Sequence, residues 1–298
     1  ISKERILSGN EDIKEVLKYE IDYQKVDKNI SVFREQSKKW LLDSIEWQKD
    51  EESKYIKITD KEMCSGCTAC ANICPKDAIE MVRDEEGFLY PKVNKDKCID
   101  CGLCKKTCPM INHKEHHEFE QKAYIFQNKD EQIRLESTSG GAFTAIAEEI
   151  INSNGVVFGV AFDKDFKVKH TYATTKKELE IFRNSKYVQS DPNETFTKVK
   201  EFLTSGKKVL FSGTSCQIAG LKSFLKKDYE NLLLVDVVCR AVPSPLMWEK
   251  YLEVQKKKYL NPKKIFFREK YHGYKYSNMS IYGQNKDYHR GIDSDPYL

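Results

Sequence analysis

Ten cysteines carry most of the chemistry available to this 298-residue chain, and eight of them fall in two copies of one pattern. Cys64, Cys67, Cys70 and Cys74 form C-x2-C-x2-C-x3-C followed by Pro75, and Cys98, Cys101, Cys104 and Cys108 repeat it with Pro109. Three thiolates on a tight loop can grip three corners of one iron–sulfur cubane. The fourth, three residues on and followed by proline, points away to the other cluster. The spacing therefore assigns Cys64, Cys67, Cys70 and Cys108 to one [4Fe–4S] cluster, and Cys98, Cys101, Cys104 and Cys74 to a second. Zinc is the competing reading. It wants four ligands, usually two C-x2–4-C pairs, and gains nothing from a doubled run of four cysteines plus proline. A two-cluster unit transfers single electrons, so another group must supply or accept them.

Two glycine turns offer a different chemistry. Ser139, Gly140 and Gly141 stand directly before a helical pattern, where small residues let backbone N–H groups approach an anion at the positive helix end. Gly213, Thr214 and Gln217 follow the strand-like Val209–Phe211, at the carboxyl end where α/β sheets bind ligands. Alone, the first turn serves as a helix cap at least as well, and the second leaves the matter open. His113, His116 and His117 lie in a polar stretch and read as a solvated linker rather than a metal site.

These groups need elements to hold them. Residues 1–50 read as two helices, with Ile13, Val16, Leu17 and Ile21 on one face and Ile30, Phe33, Trp40, Leu41 and Ile45 on the other helix. The charged run Lys49 to Lys54 is expected to be a linker. In the cysteine-rich stretch, short strands are expected at Tyr55–Ile58 and Ala78–Val82. From Ala123 the pattern alternates between strands and helices. Strands are expected at 123–127, 156–162, 168–172, 209–211, 232–238 and 265–268, and helices at 142–151, 195–203, 218–225 and 246–255. Ile146, Ala147, Ile150 and Ile151 are expected to point inward. The fold class is accordingly α+β and α/β, with domains over 1–54 (a helical segment and linker), 55–118 (the two-cluster unit) and 119–298 (the α/β unit).

Composition bounds the rest. With 40% hydrophobic and 32% charged residues the chain can build real cores, and 50 basic against 46 acidic residues leave only +4. Two oxidised clusters with their thiolates, each about −2, would bring that to about zero, so nucleic acid is not an expected partner. The longest apolar stretch, Val156 to Phe162, is far short of the roughly 20 residues a membrane helix needs. Cysteines packed at spacings of two or three, rather than spread over a short chain, favour a reducing, cytoplasmic setting. The chain opens on Ile1, which leaves room for an upstream segment or a signal peptide.

The duplicated motif resembles bacterial two-cluster ferredoxins. GFLYPKVNKDKCIDCGLC, STSGGAFTAIAEEII, SKYVQSD, VLFSGTSCQIAGLKSFL, YENLLLVDVVC and VPSPLMWEKYL together resemble the coenzyme F-420 hydrogenase/dehydrogenase beta subunit family, over about residues 60–298. That resemblance implies a ferredoxin-like segment feeding an α/β flavin (FAD) domain. Its flavin contacts would be Ser139, Gly140, Gly141, Ser185, Lys186, Tyr187, Gln189, Gly213, Thr214 and Gln217. Two departures stand out: Ser215 replaces the proline of Gly-Thr-Pro-Cys-Gln, and Cys239-Arg240-Ala241 replaces Cys-His-Gly. The family usually continues past a stretch like Asp295, Pro296 and Tyr297, so truncation at the C-terminus is expected. Cys216 and Cys239, each after a buried strand, are expected to be inert buried thiols, with flavin-proximal or cluster-ligating roles as the alternative. Residues 1–50 more faintly resemble the C-terminal tail of polysaccharide pyruvyl transferases, through Ile21-Asp-Tyr-Gln-Lys-Val26.

The expected function is therefore that of an iron–sulfur flavoprotein oxidoreductase. It would pass electrons between two [4Fe–4S] clusters and a flavin, and on to a redox partner protein or a small two-electron carrier. The alternatives are a flavin-free, ferredoxin-type electron-transfer module and a fusion partner of a polysaccharide pyruvyl transferase. No catalytic residue is singled out by the sequence.

Overall fold

The structure, a computed structural model, describes residues 53–58, 61–112, 121–192, 194–291 and 293–298. All of these belong to one compact unit, Glu51–Leu298. The helices expected over 1–50, most of the first linker, the histidine stretch and the pyruvyl transferase resemblance lie outside the described residues.

The cysteine-rich part is built as two half-turns around a hairpin. Strands β1 (Ile79–Arg83) and β2 (Leu89–Val93) pair antiparallel, Ile79 opposite Val93 and Arg83 opposite Leu89. Short helix α1 (Ala69–Asn72) follows the first cysteine loop and α2 (Leu103–Thr107) the second. The repetition extends to the backbone. Gly66 and Asp100, between the first and second cysteines of each motif, both have positive φ, at 65° and 51°. Thr68 and Gly102, which cap the two helices, do the same at 64° and 71°. Left-handed residues alternating with other conformations turn N–H groups toward the centre of a loop, as in an anion-binding nest. Residues 55–58 are not the expected strand but irregular chain. Ile56 is buried there with Cys70 and Cys104, so burial rather than sheet pairing explains its apolar pattern.

The α/β part centres on a four-stranded sheet in the order β4-β3-β5-β6: β3 (Val156–Phe162), β4 (Val168–Ala173), β5 (Val209–Thr214) and β6 (Leu232–Val237). β3, β5 and β6 run parallel, and β4 returns antiparallel from β3. Side chains alternate between the two faces, as the pleat requires. Val156, Phe158, Val209 and Phe211 pack on helices α5 (Thr195–Thr204) and α6 (Ser215–Leu225). Val157, Ala161 and Leu210 pack on α4 (Ala142–Asn152) and on the turn Lys177–Phe182. A short α3 (Glu131–Glu136), capped by Asp130, precedes α4. Beyond the sheet, α7 (Pro245–Lys258), capped by Ser244, covers a meander of β7 (Lys264–Glu269), β8 (Asn278–Tyr282) and β9 (Asp287–Gly291). Trp248, Phe267, Met279 and Ile281 fill the space between them.

Several expectations need correction. Residues 123–127 form no strand; Tyr124, Ile125 and Phe126 are exposed irregular chain, and Ile125 has no sheet partner to cover it. Ile146 faces solvent, because Thr144 and Ala147 take the inward face of α4. β6 is an edge strand, with Leu233 and Val237 exposed. No described helix is long and apolar enough to cross a membrane.

Candidate functional site: two thiol groups and the sheet edge beside them

The eight motif cysteines separate into two groups in space. Cys64, Cys67, Cys70 and Cys108 lie within electrostatic reach of one another. Burial pushes the thiols of Cys64 and Cys67 up to about 11 and about 12, and the charge of Cys108 adds to both. Cys70 is also raised, first by burial and then by Cys67, Cys64 and Cys108. Cys108, also raised by burial, has the N–H groups of Ile111 and Met110 turned toward its sulfur. The second group lines one cavity: Cys74, Cys98, Cys101 and Cys104, walled by Tyr55, Ile79, Val93 and Leu103. In each group, three thiols come from one motif and the fourth from the other.

Backbone donors point at the sulfurs of both groups. Ile56 N donates to Cys104 Sγ at 3.1 Å and Ala78 N to Cys74 Sγ at 3.3 Å. The N–H groups of Gly66, Ala69 and Ala71 act likewise on Cys64, Cys67 and Cys70 and partly offset their burial. Such bonds favour thiolate and tune a bound metal group. Among the described residues, no three His, Cys, Asp or Glu side chains converge tightly enough for a single ion. A tetrahedral zinc would need its sulfurs about 3.8 Å apart, whereas a cubane holds its cysteines wider.

The two groups differ in surroundings. Cys101 is exposed, and Ile99 next to it is 58% exposed, so the second group opens to solvent. Cys67 and Cys70 are buried, and Cys67 belongs to the same apolar core as Phe196, Phe211 and Leu221 of the α/β part. The contact is tight because α6 has no side chain at Gly220; a Cβ there would stand 3.0 Å from both Cβ and Sγ of Cys67. Cys216, second residue of α6, adds its charge to Cys64 and Cys67 and touches Thr214 Oγ1 at 3.1 Å.

The glycine turns lie at one edge of the sheet. α4 runs back into β3 through the short turn at residues 153–155, so its N-terminus lies at the carboxyl end of the strands, where α6 also begins. Gly141 caps α4 with φ 80° and no side-chain bond to the first turn. The neighbouring chain is pinned by Lys270, whose Nζ donates to Ser139 O at 2.8 Å. Thr138 Oγ1 accepts from Ser185 N at 2.8 Å, which joins the turn to segment 183–190. That segment runs on to the second turn and to the cysteine loop. Gln217 Nε2 donates to Ser190 Oγ at 2.9 Å, and a Cβ at Gly66 would meet Gln189 Nε2 at 2.7 Å. The ten residues attributed to flavin are thus strung along one path. Lys186 is held by the carbonyls of Ile181 and Arg183, and burial lowers its ammonium to about 7. Tyr187 is fixed through its own carbonyl, which accepts from Tyr297 OH at 2.9 Å.

Gly140 and Gly213 are not open cradles. A Cβ on Gly140 would fall 2.3 Å from the carbonyl oxygen of Phe126, and one on Gly213 would press on Gln217 and Phe211. Their first requirement is close chain packing. The expectation that Cys216 and Cys239 are buried is also overturned: Cys216 is half-buried and Cys239 exposed, because β6 is an edge and the chain after it is open coil. Arg240 is exposed in the same coil.

A buried polar relay, unseen in the sequence, holds this edge together. His170 Nε2 donates to Ser212 O at 3.2 Å, and its Nδ1 accepts from Ser190 Oγ at 3.2 Å. Ser190 in turn accepts from Gln217, whose Oε1 accepts from Thr214 N at 3.0 Å. The ring lies flat on Phe211, 5.3 Å between centroids, and burial lowers the imidazole to about 4. A histidine in a half-polar strand gives no sign of this; only the paired Ser190 and Gln217 reveal it. Gly220 is likewise legible only once Cys67 is seen against α6.

Three stretches match family models: a 4Fe-4S dicluster domain at residues 63–111, the N-terminal part of the coenzyme F420 hydrogenase/dehydrogenase beta subunit at 123–196, and its C-terminal part at 206–293. No curated protein matches the chain. Among the solved structures, a chain of the F420-reducing [NiFe] hydrogenase complex from Methanosarcina barkeri is similar at 18% identity and TM-score 0.42, over 57% of this chain and 62% of that one. This chain therefore spans less than two thirds of that relative's length. The two beta-subunit parts together take up more than half of the sequence, and the chain belongs to the coenzyme F420 hydrogenase/dehydrogenase beta subunit family, with a 4Fe–4S dicluster domain preceding that region.

Proposed function

We propose that this protein is an oxidoreductase that passes electrons between two [4Fe–4S] clusters and a flavin, FAD, and on to a two-electron carrier or a partner protein. The observation that carries the reading is the placement of the thiol groups. One opens to solvent, while the other is packed against the helix that begins at the carboxyl edge of the sheet. Cys98, Cys101, Cys104 and Cys74 would hold the outer cluster, which meets the redox partner. Cys64, Cys67, Cys70 and Cys108 would hold the inner one. The inner group lies beside Gln189 and α6, so electrons need cross only a short gap to a ring bound at that edge. On this reading residues 55–118 and 119–298 are the two functional domains, working in a reducing compartment.

The donor set suits both kinds of group. Eight thiols in two sets of four, each with backbone N–H groups turned on its sulfurs, suit cubanes. The uncapped first turn of α4 suits the flavin diphosphate, since its N–H groups have no side-chain acceptor and the helix dipole favours negative charge there. A bound flavin accepts electron pairs and releases single electrons, which is what joins one-electron clusters to a two-electron carrier. Ser185, Lys186 and Tyr187 would lie along the cofactor, and Gln189 would lie between it and the inner cluster. Flavin extraction from anaerobically purified protein tests this: one FAD per chain is expected. A second reading, a flavin-free electron-transfer module, is favoured by the carbonyl of Phe126 filling the space at Gly140. Full cluster content with no bound or bindable flavin would establish it.

A further inference from the structure

We propose that Cys216 and Cys239 form a redox-active dithiol at the carboxyl edge of the sheet, reduced by single electrons from the inner [4Fe–4S] cluster. The sheet register sets the pair up. Thr214 at the end of β5 lies opposite Val237 at the end of β6, and the two cysteines each follow two residues later. Adjacent parallel strands are about 4.8 Å apart, so the two cysteines leave the sheet from neighbouring strand ends. Ser215 Oγ bonds both oxygens of Asp236, at 2.9 and 3.1 Å, and so ties the two strand ends together between the cysteines. The chain after β6 is exposed coil, while Cys216 is the second residue of α6. Burial raises the Cys239 thiol, and charges on Cys216 and Asp236 add to that, so the two cysteines lie within electrostatic reach of one another.

Two further features give the pair a task. Cys216 is near Cys64 and Cys67 of the inner group, so an electron reaching that cluster has a sulfur beside it. Cys239 is exposed, with Val238 next to it 96% exposed, so a partner's disulfide can reach it. The reduction balances with a low-potential one-electron donor that enters at the outer cluster. Two electrons arrive in succession, the Cys216–Cys239 S–S bond breaks, two protons come from water, and two thiols result. Thiol–disulfide exchange at Cys239 then passes the pair of electrons to a disulfide substrate and restores the bond. The inference rests on the iron–sulfur reading but not on flavin.

The test uses the full chain with its clusters reconstituted, under anaerobic conditions. The protein is oxidised with glutathione disulfide, labelled with N-ethylmaleimide and read by peptide mass spectrometry, and iron is counted on the same sample. A Cys216–Cys239 linked peptide is expected after oxidation, with both thiols labelled after reduction by reduced methyl viologen. In Cys64→Ser, which empties the inner site, viologen should open the disulfide at least tenfold more slowly. Equal labelling of Cys216 and Cys239 in both states overturns the proposal. So does a link from either to another cysteine, or loss of about four iron atoms in Cys216→Ser, which would make Cys216 a cluster ligand. Fewer than about five iron atoms in the unaltered chain would instead count against the two-cluster reading, whatever the thiols do.

Discussion

Lowering the pH through the weakly acid range should destabilise the α/β part by way of His170. The ring is 5% exposed, its Nδ1 accepts from Ser190 and its Nε2 donates to Ser212 O, so the folded protein holds it neutral. Burial brings its value down from 6.5 to about 4. The unfolded chain takes up a proton near pH 6.5, while the folded chain does so only near 4. The stability that His170 contributes is therefore whole above about pH 6.5 and is lost as pH falls toward 4. Between about pH 7.5 and 5.5 the loss is about 1.3 kcal/mol, and below pH 4 it approaches about 3.4 kcal/mol, at 1.36 kcal/mol per pKa unit. The first figure is set by the unfolded imidazole alone, because the folded group does not titrate in that window. The assay is urea unfolding of the native chain and of His170→Gln, side by side at both pH values. The glutamine can bond but not titrate, so subtracting its curve removes the acid sensitivity of the clusters and of every other group. The gap between the two proteins should change by about 1.3 kcal/mol in favour of the variant as the pH drops. Parallel changes in both proteins would refute the reasoning and show His170 to be solvated or charged in the folded state.

Three further outcomes follow from the same geometry. Gly220→Ala would be worth about 1 kcal/mol to a free helix, but here its Cβ meets Cys67 at 3.0 Å. Anaerobic EPR should show the inner cluster depleted and the outer one intact. Cys108→Ala should lose the EPR signal that Cys64→Ala loses, and Cys74→Ala the one that Cys98→Ala loses. Gly140→Ala should destabilise flavin-free protein by about 1–3 kcal/mol, through overpacking against the carbonyl of Phe126, and so lower its melting temperature.

What the sequence made legible was whatever depends on local spacing. The repeat of four cysteines plus proline brought the two thiol groups into view, and Val156–Phe162 reads as a buried strand from its apolar run and β-branched residues alone. What escaped depends on neighbours distant in the chain. Residues 123–127 look like a strand, yet among the described residues no partner strand lies beside them. Tyr55–Ile58 has the composition of a strand, but Ile56 turns its N–H to Cys104 instead. β8 and β9 were missed because Asn278–Tyr282 and Asp287–Gly291 are short and half polar, and they form only as a meander under Trp248 and Phe267. Cys239 was misjudged because an edge strand and a central one read alike until the strand order is known.

On the proposed function, electrons pass between the clusters and a flavin at the sheet edge. This path is tested by loading the protein with FAD and following reduction of the flavin by reduced methyl viologen in an anaerobic stopped-flow spectrometer. The unaltered chain is compared with Cys64→Ala and Cys98→Ala at equal flavin content. Flavin reduction should slow at least tenfold in either variant, because each removes one cluster from the path. Equal rates in all three proteins would contradict it.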